Sequence, residues 1–244
     1  MLRSLALGLL AGIAALVVSP PANADHVPSL ELAVLIEGAQ AGVFGEDDLG
    51  CSSLGGDVFE CSGGGLQLGG TSGILLDSWD LDLDSDPVIT GFTTVTNLSG
   101  VAQQFTLIFT LPTSVLPSSL MGGSIQGGMT DNDGDGVTLA APTGSAFYTA
   151  LIDGVSQQAL YADPTSFSAG AFASGNVPNA AWGTPIPSAL GPAVLSNIRI
   201  QLDYVLSGND SASFTSNFVV VPVPEPGSGL LLAFGLGVLA LRRR

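Results

Sequence analysis

The strongest periodic pattern in the chain is the sequence NIRIQLDYVL at residues 197–206. Its apolar side chains occupy every second position, so they lie on the same face of a β-strand. A turn sequence, SGND, follows at residues 207–210, and Phe214 and Phe218 continue the apolar pattern on the returning strand. The stretch therefore predicts two consecutive strands, each with one buried face.

Similar alternation recurs through the body of the chain. Trp79, Leu81 and Leu83 alternate with Asp80, Asp82 and Asp84, and an apolar stripe comprises Phe105, Leu107, Phe109 and Leu111. Further short strands are predicted at residues 29–37, 88–96, 125–130, 137–140, 146–152 and 157–161. Residues 38–72 are predicted to be loop-rich and residues 163–192 to be irregular, because both are rich in glycine and other small residues. With no helical stripe and no fixed repeat, the predicted fold is all-β: a single antiparallel β-sandwich, jelly-roll-like domain at residues 25–222.

The N-terminus has the features of an export signal. Arg3 supplies a positive charge, residues 5–18 are apolar, and Ala22 and Ala24 form a small-residue cleavage pattern. We predict a signal helix at residues 1–24 that signal peptidase removes after Ala24.

The C-terminal residues 223–244 have three parts in order. Pro224, Glu225 and Pro226 come first, an apolar run follows at residues 229–241, and Arg242, Arg243 and Arg244 come last. As a helix, the run spans roughly 20 Å, against about 30 Å for a hydrocarbon core. We predict a short transmembrane helix whose arginines stay on the cytoplasmic side. A simple tail anchor is the alternative reading.

These three parts resemble the PEP-CTERM sorting signal of Gram-negative bacteria. The resemblance implies that an exosortase recognises the motif at Pro224, Glu225 and Pro226, with the arginine cluster as a stop signal. It also implies transient anchoring in the inner membrane, removal of the apolar segment, and delivery to the cell surface or extracellular matrix. Bacteria with this signal also make extracellular polysaccharide, which makes that polysaccharide a candidate partner.

The charge of the body excludes one class of partner. Lysine is absent, and removal of both terminal segments leaves Arg199 as the one cationic side chain against twenty acidic residues, for a net charge near −19. Nothing in such a body could neutralise phosphates, so nucleic acid is excluded as a partner. Self-repulsion of this size has to be offset by burial or by bound cations.

Two cysteines, Cys51 and Cys61, lie in a segment rich in glycine and serine. Export favours a disulfide between them. A metal site at these cysteines is disfavoured because the single histidine, His26, is distant in sequence.

The sequence DNDGDG at residues 131–136 matches the opening of a calcium loop. Asp131, Asp133 and Asp135 would converge on one cation, and the Val137 carbonyl would supply the next ligand. Position twelve is Pro142 rather than glutamate, so the predicted Ca²⁺ binding is weak. A polar turn without a bound ion is the alternative interpretation of residues 131–136. For the aspartates at 80, 82 and 84, a solvated strand face is the preferred interpretation.

Catalysis is not expected, because His26 has no nucleophile partner by pattern and carboxylate pairs are inevitable among twenty acidic residues. Trp182 could stack on a sugar, although packing is the preferred interpretation. The favoured function is a structural or interaction role associated with extracellular polysaccharide. A calcium-dependent carbohydrate-binding module is the second hypothesis, and a secreted hydrolase is the third.

Overall fold

The computed structural model describes residues 30–55, 58–84 and 86–223. The predicted signal peptide with its cleavage site, His26, and the sorting motif from Pro224 to Arg244 lie outside these residues. Within the described ranges, no helix has the length and apolar character needed to cross a membrane.

The described residues form seventeen strands, numbered β1 to β17 in chain order, and one 3-10 turn at Gly70–Ser72. An eight-stranded sheet contains β1 (Glu31–Ile36), β2 (Ala39–Phe44), β8 (Gln103–Pro112), β10 (Val137–Ala140), β11 (Ala146–Ile152), β12 (Val155–Ala162), β13 (Ser166–Ala169) and β16 (Asn197–Leu206). A nine-stranded sheet contains β3 (Cys51–Gly55), β4 (Val58–Gly63), β5 (Leu66–Leu68), β6 (Ile74–Asp84), β7 (Val88–Asn97), β9 (Ser119–Thr130), β14 (Ser174–Trp182), β15 (Ala189–Gly191) and β17 (Ser211–Pro222). The strand pairs are antiparallel, and the predicted all-β sandwich is confirmed.

The two strands of the strongest sequence pattern lie in opposite sheets. The eight-stranded sheet has the order β12-β11-β16-β8-β1-β2, with β10 pairing with both β16 and β13. The nine-stranded sheet has the order β14-β9-β17-β7-β6-β4-β3, with β15 on β9 and β5 on β6. The turn at residues 207–210 therefore takes the chain from one sheet to the other.

The core lies between the sheets and is built from the predicted apolar stripes. On β16, Ile198, Ile200, Leu202, Tyr204 and Leu206 are all buried, as are the four apolar residues of the β8 stripe. The ring centroids of Tyr204 and Phe214 lie 4.9 Å apart, which joins β16 to β17 across the sandwich. The alternating patterns thus identify the surfaces that hold the sheets together.

Two regions contain more strand than the sequence predicted. Residues 38–72 hold β2 to β5, and residues 163–192 hold β13, β14 and β15. β3 lies at a sheet edge and has no fully buried residue, and β14, at another edge, buries only Val177. Such strands form through backbone hydrogen bonds to one neighbour and need no apolar stripe. The prediction of an irregular excursion around Trp182 was therefore wrong.

The sandwich has two chemically different ends. β17 pairs with β9 from Ser211 opposite Thr130 to Pro222 opposite Ser119. At one end lie the loops 131–136, 170–173 and 207–210, here called the acidic end. At the other lie the segments 113–118 and 192–196 and the chain exit at Val223, here called the tail end. At about 3.3 Å per residue, β17 separates the two ends by roughly 36 Å.

Candidate functional site

Three carboxylates converge at the acidic end. Asp131, Asp133 and Asp210 each offer a ligand atom, and these atoms lie within 4.8 Å of one another. Asp131 directly follows β9 and Asp210 directly precedes β17, so the pairing of Thr130 with Ser211 brings them together. Asp131 and Asp210 are buried, whereas Asp133 is exposed.

The loop itself holds Asp131 in place. Its Oδ1 accepts a hydrogen bond from the Gly134 N–H at 3.1 Å, and its Oδ2 accepts one from the Phe172 N–H. Burial acts to raise the pKa of Asp131, but the backbone hydrogen bonds outweigh it and leave that pKa below its usual value. Asp131 is therefore a preformed anion.

Asp210 has the opposite electrostatic balance. Its Oδ1 accepts a hydrogen bond from the Asn132 N–H at 3.2 Å, and its Oδ2 accepts one from Ser207 Oγ. Burial raises the pKa of Asp210, and repulsion from Asp131 and Asp133 raises it further. The hydrogen bonds lower it by a smaller amount, so the pKa stays above its usual value. A bound cation would relieve this repulsion.

The third carboxylate is fixed from the turn before β17. Asp133 Oδ2 accepts a hydrogen bond from Asn209 Nδ2 at 2.9 Å, and Asn132 Nδ2 donates to Ser211 Oγ at 2.7 Å. Both contacts cross from the loop after β9 to the chain around the start of β17. The carboxylates therefore sit on two segments that are tied together by side chains as well as by the sheet.

The predicted ligand set is only partly brought together. Asp131 and Asp133 join the cluster, whereas Asp135 is exposed and lies outside it. A hydrogen bond with the Asp133 side chain, together with repulsion from that residue, raises the pKa of Asp135. Val137 begins β10, where it is buried and paired with Ala169. Asp210 was missed because its place depends on a strand pairing between segments some eighty residues apart.

The cluster fits a hard divalent cation. Its protein donors are carboxylate oxygens, which suit Ca²⁺ because that ion takes six to eight oxygen ligands. Three carboxylates leave coordination positions for water or carbonyl oxygens. The cluster can therefore hold such an ion between the loop after β9 and the turn before β17.

An exposed aromatic ring lies beside the cluster. Phe172 is 77% exposed and its N–H donates to Asp131. The ring packs over Gly134, where an added Cβ would collide with it. Sequence reasoning missed Phe172, since a single phenylalanine between small residues carries no periodic signal.

Trp182, the aromatic residue that the sequence did single out, packs against the core. It ends β14, is half-buried, and its ring centroid lies 6.1 Å from that of Phe218. This agrees with the preferred packing interpretation. Trp182 offers no exposed platform.

Two further groups are placed as predicted. Cys51 and Cys61 form a disulfide between directly paired positions of β3 and β4, which confirms that prediction. Asp80 and Asp82 are exposed on the outer face of β6, while Trp79, Leu81 and Leu83 are buried. The aspartate row is therefore a solvated strand face.

The C-terminal segment is similar to a known sorting signal. The family model described as the PEP-CTERM protein-sorting motif matches residues 222–244. Residues 222–244 are a PEP-CTERM sorting motif. The match begins at the last residue of β17, so the PEP-CTERM segment follows a strand of the sandwich without an intervening domain. The motif indicates an exported protein that is anchored transiently at the membrane through its C-terminus and processed by an exosortase.

Comparison with other proteins gives a weak structural likeness for the body of the chain. No curated protein matches the sequence of this chain. A solved structure of TmCBM61 in complex with β-1,4-galactotriose is similar over 55% of this chain and 71% of that chain, with 12% sequence identity and a TM-score of 0.25. A likeness at this level does not extend to the ligand of that protein.

Proposed function

We propose that this chain is a cell-surface or extracellular-matrix protein whose acidic β-sandwich has a structural or interaction role within extracellular polysaccharide. The sorting motif at residues 222–244 is the observation that carries the proposal. It specifies export and exosortase processing, and the resemblance associates such proteins with bacteria that make extracellular polysaccharide. Exosortase and signal peptidase are then the processing partners.

Calcium binding at the acidic end is part of the proposal. Asp131 and Asp210 are buried, and carboxylates that are removed from water need a compensating partner. Hydrogen bonds satisfy part of their acceptor capacity, but each side chain retains lone pairs for a cation. An affinity of about 10⁻⁴–10⁻³ M, as in other extracellular modules, would suit an environment rich in calcium.

Phe172 favours a second candidate, a calcium-dependent carbohydrate-binding module. An exposed aromatic ring beside a cation site provides an apolar surface and a charged centre at one place. A sugar could stack on the ring while its hydroxyl groups reach the ion. The half-buried position of Trp182 leaves Phe172 as the aromatic residue on which this candidate depends.

We propose that the protein is not an enzyme. The oxygens of Asp131 and Asp210 accept hydrogen bonds from the surrounding loops, which suits a structural or cation-binding role. A surface depression of about 140 Å³ nearby is lined by small and hydroxyl side chains, including Thr130, Ser174 and Ser211. The third candidate, a secreted hydrolase, would need an acid and a base facing such a space.

Co-sedimentation tests the proposal directly. The processed protein recovered from the host is mixed with the host's own extracellular polysaccharide, with calcium or with a chelator, and the bound fraction is measured. Phe172→Ala is compared with Phe92→Ala, which removes another exposed phenylalanine, on the outer face of β7.

The outcomes separate the candidates. Saturable binding that is independent of calcium and of Phe172 supports the structural role. Binding that needs calcium and is lost in Phe172→Ala but retained in Phe92→Ala identifies the carbohydrate-binding module. Absence of binding under both conditions overturns the association with polysaccharide, and depolymerisation of the polysaccharide overturns the non-enzymatic assignment.

A further inference from the structure

The outer face of β17 changes chemistry along its length. Its outward side chains are polar from Ser211 to Asn217 and become aliphatic at Val219 and Val221. The change occurs on the approach to Val223, whose N–H donates to the Ser118 carbonyl at 3.3 Å where the chain leaves the sandwich. The sorting segment therefore departs from an aliphatic surface.

Neighbouring segments extend this surface. The bridge between Leu116 and Val194 places Val115 next to Leu195, and these two side chains are 64% and 65% exposed. Leu190 is 79% exposed and pairs with Leu120, which pairs in turn with Val221. The aliphatic patch is defined as Val115, Leu120, Leu190, Leu195 and Val221.

Hydrogen bonds to one loop carboxylate fix the segment that carries Leu195. Asp153 accepts hydrogen bonds from the N–H groups of Leu195, Ser196 and Asn197 at 2.7, 2.7 and 3.1 Å, and from Ser196 Oγ at 2.7 Å. The segment that carries Leu195 is thus fixed with its side chain outward. Exposed aliphatic side chains that lie together, unlike ones scattered singly, mark an interaction surface.

The five side chains of the patch are uncharged, although the Asp153 carboxylate lies beside the Leu195 backbone. The segments 113–118 and 189–196 contain no ionisable side chain. On the same face of the nine-stranded sheet, Asp84 lies on β6, two strands away from β17. The acidic end is roughly 36 Å distant, which exceeds the Debye length of about 8 Å at physiological ionic strength. The carboxylates of the acidic end therefore do not repel the patch from a lipid surface, and the Asp153 carboxylate beside the patch is engaged by four hydrogen bonds.

Chain length fixes where the patch is before processing. Seven residue steps separate Val223 from Leu230, the start of the fully apolar run. Even fully extended, they span at most about 25 Å. While the sorting segment is in the bilayer, the tail end of the sandwich is therefore confined next to the membrane surface.

We propose that the aliphatic patch rests on the lipid bilayer before the sorting segment is removed. Its side chains enter the interfacial layer, to a depth of order 5–10 Å, and the acidic end points away from the membrane. This contact orients the sandwich while exosortase acts on the adjoining segment. When that segment is cut, the sandwich is no longer tethered to the bilayer.

Fluorescence quenching in vesicles tests this orientation. The unprocessed chain, with residues 223–244 intact and the disulfide retained, is reconstituted in phosphatidylcholine vesicles and isolated by flotation. A polarity-sensitive fluorophore is attached through Val115→Cys or, as a matched control, through Val101→Cys. Val101 is 65% exposed and lies at the opposite end, in the connection between β7 and β8.

Lipid-borne quenchers should quench the fluorophore at position 115 at least about twofold more than at position 101, because only the former lies within the interface. Leu190→Asp with Leu195→Asp should bring position 115 down to the level of position 101. Equal lipid quenching at the two positions, or failure of the chain to float with vesicles, overturns the proposal. Protection of position 115 that grows with the protein-to-lipid ratio, without lipid quenching, identifies a second copy of the chain as the occupant and also overturns it.

Discussion

Two of the three clustered carboxylates, Asp131 and Asp210, differ in how readily they take a proton. Asp131 has a lowered pKa because backbone N–H groups stabilise its charge, whereas burial and neighbouring charges raise the pKa of Asp210. As pH falls, Asp210 is therefore protonated before an ordinary aspartate would be. Proton and cation compete at that residue, so cation binding should weaken at a pH where isolated aspartates are still ionised.

Calcium should raise the melting temperature of the protein at pH 7. For the affinity proposed above, 10 mM calcium gives a rise of roughly 3–10 °C. Asp210→Asn and Asp133→Asn should abolish the rise, because each removes a charge from the cluster. Asp135→Asn, a neighbouring change outside the cluster, should retain it. A rise that survives Asp210→Asn in thermal denaturation would place the ion elsewhere.

Asp153 should stabilise the tail end in a pH-dependent way. Burial acts to raise its pKa, but hydrogen bonds from Ser196, Leu195 and Asn197 outweigh it and lower that pKa overall. The stabilisation is therefore present above the usual pKa of about 3.9 and is lost as pH falls through the lower folded value.

Asp153→Asn should lower the melting temperature at pH 7 by roughly 2–4 °C, because asparagine tolerates the positive φ of 50° but accepts fewer hydrogen bonds. At pH 2 the difference from the wild type should shrink. Asp80→Asn, on an exposed strand face, is the control and should change little at either pH. A difference that is constant with pH would contradict the assigned charge.

At the scale of the elements, the disulfide joins a hairpin that has little other support. β3 has no fully buried residue, and in β4 only Phe59 and Cys61 are buried. Trp79 closes over this hairpin, where its ring would collide with a Cβ at Gly63, and its Nε1 donates to the Leu49 carbonyl at 2.9 Å. The covalent link and the indole ring together hold an edge of the nine-stranded sheet.

Loss of the disulfide should therefore destabilise the protein measurably. Chain entropy for this short loop predicts about 2.5–3 kcal/mol. Chemical denaturation of the wild type with and without reductant measures the loss, and the double variant Cys51→Ala with Cys61→Ala is the control that should not respond to reductant. An unchanged denaturation midpoint on reduction would contradict this role.

The elements that the sequence predicted best are those whose side chains face the core. β6, β8 and β16 bury one face and therefore alternate, whereas β3 and β14 lie at edges and form through backbone pairing. The carboxylate cluster was likewise predictable only where its residues are close in sequence. Asp131 and Asp133 lie in one local turn and were recognisable, but Asp210 joins them only through the long-range pairing of β9 with β17.

Across the whole molecule, charge is segregated. β8, β9, β14, β15 and β17 contain no ionisable acidic or basic residue, while the carboxylates concentrate on β6, at the acidic end and in the loops. Alternation alone identified the sandwich class. It could not give the strand order, which determines that the acidic loops and the chain exit lie at opposite ends.

Salt should stabilise the processed protein, since the acidic side chains of residues 25–222, with a net charge near −19, repel one another. Raising NaCl from 10 to 150 mM shortens the Debye length from about 30 to about 8 Å. We expect the melting temperature at pH 7, measured with a chelator present, to rise over this range. The rise should be smaller at pH 4, where part of the carboxylate charge is neutralised. A flat or falling melting temperature at pH 7 would show that self-repulsion is unimportant.

The position of β17 also determines how the protein responds to mechanical load. This strand lies between β9 and β7 and is directly continuous with the sorting segment at Pro222. A pull on the C-terminus acts along the strand, so the hydrogen bonds to both neighbours are loaded in shear at the same time and cannot open one after another. A domain fastened through this residue would resist extraction until the nine-stranded sheet itself gives way.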